Sequence, residues 1–300
     1  MSRILVTGGL GFVGSHLVDL LTKTGEDEIV VMDNLISDSS SKQYKRDDVT
    51  YWIDDVRNLN TYRYLGEEFD IIYHLAALAR IQPSFIDPLK YISTDVMGTS
   101  HVLEFARACD AKVIYAGSSS AYAGPMLNPY AFAKYTGEQL CELYNKVYGL
   151  STVTARFFNV YGDRQPRTGA YATVLGIFEE KMLTGKSLTV TGDGDQRRDF
   201  THVDDIVSGF VALGDSTWDA EIFQLGAGKN YSINELAHMF GGEIEYIPKR
   251  PGEARITLAD ASEMTKATRW EPKIQLENYV DRWKKNVYDV SMSKSDKSTK

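Results

Sequence analysis

Tyr130 and Lys134 stand four residues apart in the run Tyr130-Ala131-Phe132-Ala133-Lys134. On a helix, that spacing puts both side chains on one face. Pro129, just before the tyrosine, suits a helix start. A tyrosine ionises near about pH 10, so alone it is a poor base at neutral pH. A neighbouring ammonium favours the phenolate and lowers that pKa. Such a phenolate could take a proton from an alcohol while a hydride leaves the same carbon. Tyr-x-x-x-Lys recurs by chance, and most surface copies do nothing. Ser118-Ser119-Ser120 changes its weight, because these serines directly follow Val113-Ile114-Tyr115-Ala116, an apolar run that reads as a strand. Ligands of open α/β sheets bind at the carboxyl ends of strands, where a Ser118 hydroxyl could hydrogen-bond the reacting oxygen. Read alone, the serines are equally an ordinary polar exit from a strand.

A second constellation opens the chain. Gly8, Gly11 and Gly14 lie between the apolar run Ile4-Leu5-Val6 and a helical pattern through Leu17, Leu20 and Leu21. The first glycine permits the tight turn, the second lets a pyrophosphate approach the backbone, and the third lets the helix pack closely. Phosphates then meet the free N–H groups at the helix start. Asp33 ends the next apolar run, Ile29-Val30-Val31-Met32, where a ribose-binding acid belongs. A carboxylate there accepts from a 2′-hydroxyl and repels a 2′-phosphate, and no Arg follows it immediately. The loop is therefore expected to hold NAD rather than NADP.

The elements that must position these groups alternate. Further strands are expected at Tyr51-Trp52-Ile53, Ile71 to Leu75 and Val153 to Phe157, with helices over Gly98 to Cys109 and Tyr130 to Tyr148. Apolar strands alternating with helices predict an α/β fold, a Rossmann-type doubly wound parallel sheet. After Gly162 the texture becomes less regular. We expect an NAD-binding domain over residues 1–164 and a mainly substrate-binding region over 165–300, with segments that cross back. The Ser/Lys-rich tail from Ser291 to Lys300 reads as frayed.

With 300 residues and a net charge of -8, the chain has no general affinity for nucleic acid or an anionic membrane. An anionic ligand then needs locally placed Arg or Lys. Cys109 and Cys141 lack metal-ligand spacing and read as reduced thiols, and no metal site is expected. No apolar run has membrane-spanning length, and Met1-Ser2-Arg3-Ile4 enters a strand pattern without a signal peptide. The expected location is cytoplasmic.

Together these motifs resemble the extended short-chain dehydrogenase/reductases, and among them the nucleotide-sugar epimerases related to UDP-glucose 4-epimerase. The resemblance runs from about Ile4 to Trp270. Thr7-Gly8-Gly9-Leu10-Gly11-Phe12-Val13-Gly14 is similar to the family's glycine loop, and Asp33-Asn34-Leu35 to its ribose-binding turn. Asp55-Val56-Arg57 resembles the segment whose acid contacts adenine, and His74-Leu75-Ala76-Ala77 the strand end that passes the cofactor. Ser118 sits where the family's active-site Ser or Thr lies, and Tyr130 and Lys134 match its catalytic pair. Arg156 to Gly162 resembles a motif whose Asn contacts the sugar nucleotide, which implies Asn159. Gly192 to Phe200 and Arg250-Pro251-Gly252-Glu253 resemble the segments that hold the diphosphate and the nucleoside. They imply Arg198 and Arg250 on the diphosphate and Glu253 near the nucleoside. Guanidinium forks suit that task, since they bind phosphate bidentately. The resemblance places Thr257 beside the sugar's C2 substituent, where a small residue implies room for an N-acetyl group.

Three features depart from that pattern. Asp95 stands where the family often has Asn, the loop between Ser118 and Tyr130 is short, and no acidic pair follows Ser118 as it does in 4,6-dehydratases. A dehydratase is therefore disfavoured, and the short loop implies an open approach to the sugar pocket. What the resemblance implies is C4 epimerisation of a UDP-hexose or UDP-N-acetylhexosamine through a transient 4-keto sugar, by a homodimer built on the two helices 98–109 and 130–148. The alternatives are an NAD-dependent nucleotide-sugar oxidoreductase, decarboxylase or other epimerase on the same scaffold. More remote is a dinucleotide-sensing module without catalysis.

Overall fold

Strands whose residues are apolar on both sides must be covered on both sides, and this chain builds its centre that way. The computed structural model describes residues 2–295 other than 24, 26, 37, 38 and 67. Strand β1 (Arg3–Thr7) leads through helix α1 (Phe12–Leu21) to β2 (Glu28–Met32) and β3 (Thr50–Trp52). The chain returns as β4 (Ile71–His74), crosses through α2 (Gly98–Cys109) to β5 (Lys112–Ser118), and through α3 (Pro129–Tyr148) to β6 (Thr152–Phe157). Helix α4 (Val203–Gly214) and strand β7 (Ile222–Leu225) come from much later in the chain.

These seven strands form one parallel sheet in the order β7-β6-β5-β4-β1-β2-β3. Ile4 of β1 pairs with Ile29 on one side and Ile71 on the other. Successive residues alternate between faces. Ile4, Val6 and Val31 join Leu17 of α1 and Phe210 of α4 in one core. Leu5, Val30 and Ile72 join Leu103 of α2 and Tyr144 of α3 in the other. The chain winds outward from β1 through β2 and β3, then reverses to the other side of β1 at β4. That reversal leaves a crevice at the carboxyl ends of β1 and β4, where open sheets of this kind bind ligands.

One glycine brings the tyrosine–lysine helix down onto the sheet. A Cβ on Gly137 would sit 2.1 Å from the Tyr115 hydroxyl oxygen, so α3 and β5 touch in a way no larger residue allows. A third core, with Phe178, Val190, Phe240 and Val280 at its centre, holds the later region together. Residues 203–225 nevertheless belong to the sheet and its covering layer.

The carboxyl-terminal segment differs from the expected frayed tail. A helix runs Leu276–Ser295, its start packed by buried Leu276, Tyr279 and Val280, while residues 296–300 lie outside the described residues. Cys141 is buried, which pushes its thiol up to about 12, as expected of an inert core thiol. Among the described residues, no helix is long and apolar enough to cross a membrane.

Candidate active site

The glycine loop follows β1 and lies against the residues that follow β4. Gly8 adopts φ +73°, and a Cβ there would come within 2.8 Å of the Ala76 nitrogen. Gly14 is tighter still: its Cβ would lie 2.1 Å from the Gly8 carbonyl oxygen. The start of α1 therefore sits directly on the loop. Its cap residue, Gly11, offers no side-chain hydrogen bond, so the first N–H groups of the helix keep their capacity for an anion. Phe12 and Val13 complete that first turn at the cleft wall.

Asp33 is buried at the end of β2. Its carboxylate accepts from the Leu10 and Leu35 backbone N–H groups at 3.0 and 2.7 Å. Burial raises its pKa, and these backbone bonds oppose the rise. Asp33 and Asn34 border a small cavity with Val56, Leu75, Ala76 and Ala77. Asp55 does not border it. Its two oxygens accept four hydrogen bonds, from Asn34 Nδ2 and from the Arg57 backbone N–H, Nε and Nη2. That fills its acceptor sites, and the Arg57 fork holds its pKa down at about 2. Asp55 thus braces Asn34 as well as Arg57 at the position where the resemblance implies an adenine contact.

A cleft of about 880 Å³ runs from this loop across the sheet's carboxyl edge. Gly8, Gly11, Gly14, Leu75 and Ala77 line it together with Ser118, Tyr130 and Lys134 and with Asn159, Arg198, Arg250 and Glu253. Ser118 ends β5, and its Oγ accepts from the Ser120 N–H of the next short helix at 3.1 Å. The Tyr130 hydroxyl donates to Ser118 Oγ at 3.3 Å. Burial raises the Tyr130 pKa, the Ser118 bond lowers it, Asp95 raises it and Arg80 lowers it. Lys134 is 5% exposed, donates from Nζ to the Ala116 carbonyl at 2.9 Å, and lies 4.9 Å from the Tyr115 ring centroid. Burial lowers its pKa, and Asp95 and Glu138 push it back up. Arg80 is thus a cation near the phenol that the sequence did not single out.

The tyrosine is also tied to the opposite wall. Asn128 caps α3 by accepting from the Ala131 N–H at 2.8 Å, and its Nδ2 donates to the Gly252 carbonyl at 2.9 Å. One buried side chain thereby fixes the start of the catalytic helix against the Arg250–Glu253 loop. Arg198 approaches Glu253 at 3.7 Å. Asn159 takes φ +25° and donates from Nδ2 to the Asp199 carbonyl at 2.9 Å and to Thr257 Oγ1 at 3.4 Å. Thr257 is buried behind Asn159 and does not line the cleft, so its size bears on a bound sugar only through Asn159.

Residues 4–226 match the profile of a family described as the NAD dependent epimerase/dehydratase family. The chain belongs to that family. A putative UDP-glucose 4-epimerase of Methanocaldococcus jannaschii is 34% identical over 94% of this chain and 98% of its own length. The UDP-glucuronic acid decarboxylase 1 of Xenopus tropicalis is 31% identical over 93% of this chain and 70% of its own. The crystal structure of a UDP-glucose 4-epimerase with UDP-glucose from Thermotoga maritima superposes with a TM-score of 0.88. It is 29% identical and covers 95% of this chain and 99% of that one. The cofactor of the family is NAD. The residues present suit it: a side-chain-free cradle at Gly8 and Gly14, uncapped helix N–H groups, and a buried carboxylate at the ribose position.

Asp95 lies close to this site. It belongs to a π-helical turn, Ile92–Met97, a feature often found at functional sites. Asp95 Oδ1 accepts from the Leu78 N–H at 2.8 Å, while Oδ2 is buried without a hydrogen-bond partner. Burial, opposed by Lys134, lifts its pKa to about 7. Around it, Thr7, His74 and Thr99 form a chain of hydrogen bonds that joins β1, β4 and the π turn. Burial pushes His74 down to about 3, so it works as a neutral strut.

A carboxyl held protonated in the fold contributes stability that is fully present below its unfolded pKa of 3.8 and is lost as pH rises toward about 7. Asp95→Asn cannot ionise. Its melting temperature should therefore exceed the wild type's by more at pH 8 than at pH 5. A gap that does not change between these pH values would show Asp95 ionised throughout.

Sequence reasoning missed Arg80 and Asn128. Arg80 is three residues past Ala77 at the carboxyl edge of the sheet, and that position was its signal. Asn128 stands just before Pro129 and reads as a helix cap, but nothing local shows that it reaches residue 252.

Proposed function

We propose that this chain is a UDP-sugar 4-epimerase that inverts C4′ of a UDP-hexose with retained NAD. The observation that carries the reading is the Tyr130–Ser118 contact of 3.3 Å, in one cleft that the glycine loop, Arg198 and Arg250 also line. A nucleotide sugar spanning that cleft, with its diphosphate on the arginines, brings its hexose to the tyrosine. Tyr130 takes the 4′-hydroxyl proton, and Ser118 hydrogen-bonds the same oxygen. NAD bound along the glycine loop supplies a place for the C4′ hydride to leave to and return from. After the 4-keto sugar has turned over, Tyr130 gives the proton back and the opposite configuration results. Lys134 holds the β5 strand end through Ala116.

An N-acetyl group at C2 was expected from Thr257. Because that residue lies behind Asn159, its small size no longer supports the choice directly, and the proposal leaves the C2 substituent unspecified. A homodimer through α2 and α3 remains part of the proposal, supported by exposed Leu143, Val147 and Tyr148 on α3.

The test is incubation of the purified protein with UDP-glucose and UDP-N-acetylglucosamine without added NAD. Products are separated by chromatography while absorbance is followed at 340 nm. A galacto epimer without net absorbance is expected. Stoichiometric absorbance growth on addition of NAD, with no epimer, would replace the proposal with an NAD-dependent dehydrogenase reaction.

A further inference from the structure

Arg80 is a cation without a counter-ion in the wall of the cleft. It lines the cavity beside Tyr130 and Tyr171. Nε donates to the Ala172 carbonyl at 3.2 Å and Nη1 to the Ala79 carbonyl at 2.9 Å. Nη2 has no hydrogen-bond partner, and no Asp or Glu pairs with the guanidinium among the described residues. The groups that act on it electrostatically are the phenols of Tyr130, Tyr91 and Tyr171. Tyr91 and Tyr130 themselves meet edge to face, with ring centroids 6.3 Å apart.

We propose that Arg80 is a specificity residue for the sugar's C6 group, and that it selects a hexuronate, whose C6 is a carboxylate, over a plain hexose. This rests on the C4 chemistry proposed above, because that chemistry fixes which sugar atoms face Arg80. With O4′ held by Tyr130 and Ser118, the adjacent ring carbons are C3′ and C5′. A guanidinium beside Tyr130 therefore reaches the 3′-hydroxyl or the group on C5′. Arg80 is half-buried, and hydroxyls can occupy its N–H groups but leave its charge unbalanced, which becomes costly once a bound sugar shuts out water. A carboxylate at C6 supplies both charge and a matching fork for a guanidinium that still has N–H groups to give.

The geometry of the pocket supports an incoming rather than an internal anion. Two backbone carbonyls accept from the guanidinium, that of the preceding residue, Ala79, and that of Ala172 from a distant segment. They orient it without neutralising it. Asp95 acts on the same phenols but forms no ion pair with Arg80, and its Oδ1 is committed to the Leu78 N–H. A net charge of -8 gives the protein no general attraction for a substrate with an extra negative charge, so any preference must come from a local cation such as this one. Arg198 and Arg250 line the same cleft, where Glu253 lies 3.7 Å from Arg198, and the function proposed above already assigns both arginines to the diphosphate.

Calorimetric titration of the intact NAD-loaded protein with UDP-glucuronate and with UDP-glucose tests the assignment. The wild type is expected to bind UDP-glucuronate more tightly. Arg80→Gln should weaken UDP-glucuronate binding by roughly 30-fold or more, the usual cost of removing one partner of a charge pair that binding buries, and abolish the preference. Arg80→Lys keeps the charge but not the fork, and should retain part of it. If Arg80→Gln does not fold, the wild-type preference and Arg80→Lys decide. Equal or tighter binding of UDP-glucose by the wild type overturns the assignment, as does an equal loss for both ligands in Arg80→Gln. C4 epimer analysis of the same mixtures separates the two readings. UDP-glucose epimerised with no preference for the uronate sinks the Arg80 assignment alone. A retained preference with no C4 epimer from either sugar sinks the epimerase reading.

Discussion

Tyr130→Phe should lower kcat by about 10²–10⁴-fold while the fold and NAD affinity stay at wild-type values. The substitution removes one oxygen and keeps the ring, so the edge-to-face contact with Tyr91 survives. What disappears is the group that moves the 4′ proton, together with its hydrogen bond to Ser118. Stopped assays on UDP-sugar, thermal melting and NAD titration read the three quantities separately. Residual activity within about tenfold of wild type would remove Tyr130 from the chemistry, since general acid–base catalysis supplies more than that. A large loss of melting temperature would instead make the phenol structural.

Gly14→Ala should abolish NAD retention at ordinary cofactor concentrations. The added Cβ would lie 2.1 Å from the Gly8 oxygen, 2.8 Å from Gly9 Cα and 2.9 Å from Gly8 carbon. All three are backbone atoms, so no side chain can swing aside. Relief requires α1 to lift from the loop, which pulls its first N–H groups away from the phosphates. Overpacking of this kind costs about 1–3 kcal/mol of stability, so the protein should still fold with a reduced melting temperature. Gly11→Ala is the graded comparison, because its Cβ would meet only the Gly8 oxygen, at 3.2 Å. Wild-type NAD affinity and melting temperature in Gly14→Ala would contradict the close packing of loop and helix.

What the sequence made legible was chemistry carried by residue type at short range. Gly8, Gly11 and Gly14 are visible because few other residues satisfy a left-handed turn and a helix resting on it. Tyr130 and Lys134 are visible because helix geometry converts a spacing of four into a shared face. The alternating runs of β1, β2, β4 and β5 likewise announce a parallel sheet with two covered faces. The missed features depend on distant segments. β7 joins the sheet beside β6 across residues 158–221, and local periodicity carries no pairing information. The Arg80 environment combines residues 79, 91, 130, 171 and 172, so its lack of a counter-ion is a property of the folded chain. Asp55 and Thr257 matched their motifs, but Arg57 engages the first and Asn159 screens the second. Of the Ser/Lys-rich tail, residues 291–295 continue a helix anchored earlier by Leu276, Tyr279 and Val280, and residues 296–300 lie outside the described residues.

The central claim is that C4′ of the sugar loses and regains the same hydride inside one cleft. UDP-glucose and UDP-glucuronate carrying deuterium at C4′ would be incubated with the protein in ordinary water, and the epimerised product examined by NMR and mass spectrometry. Retention of deuterium at C4′ of the inverted sugar is the predicted result. An inverted product that has exchanged its deuterium for solvent hydrogen, or deuterium found only in released reduced coenzyme, would contradict the account.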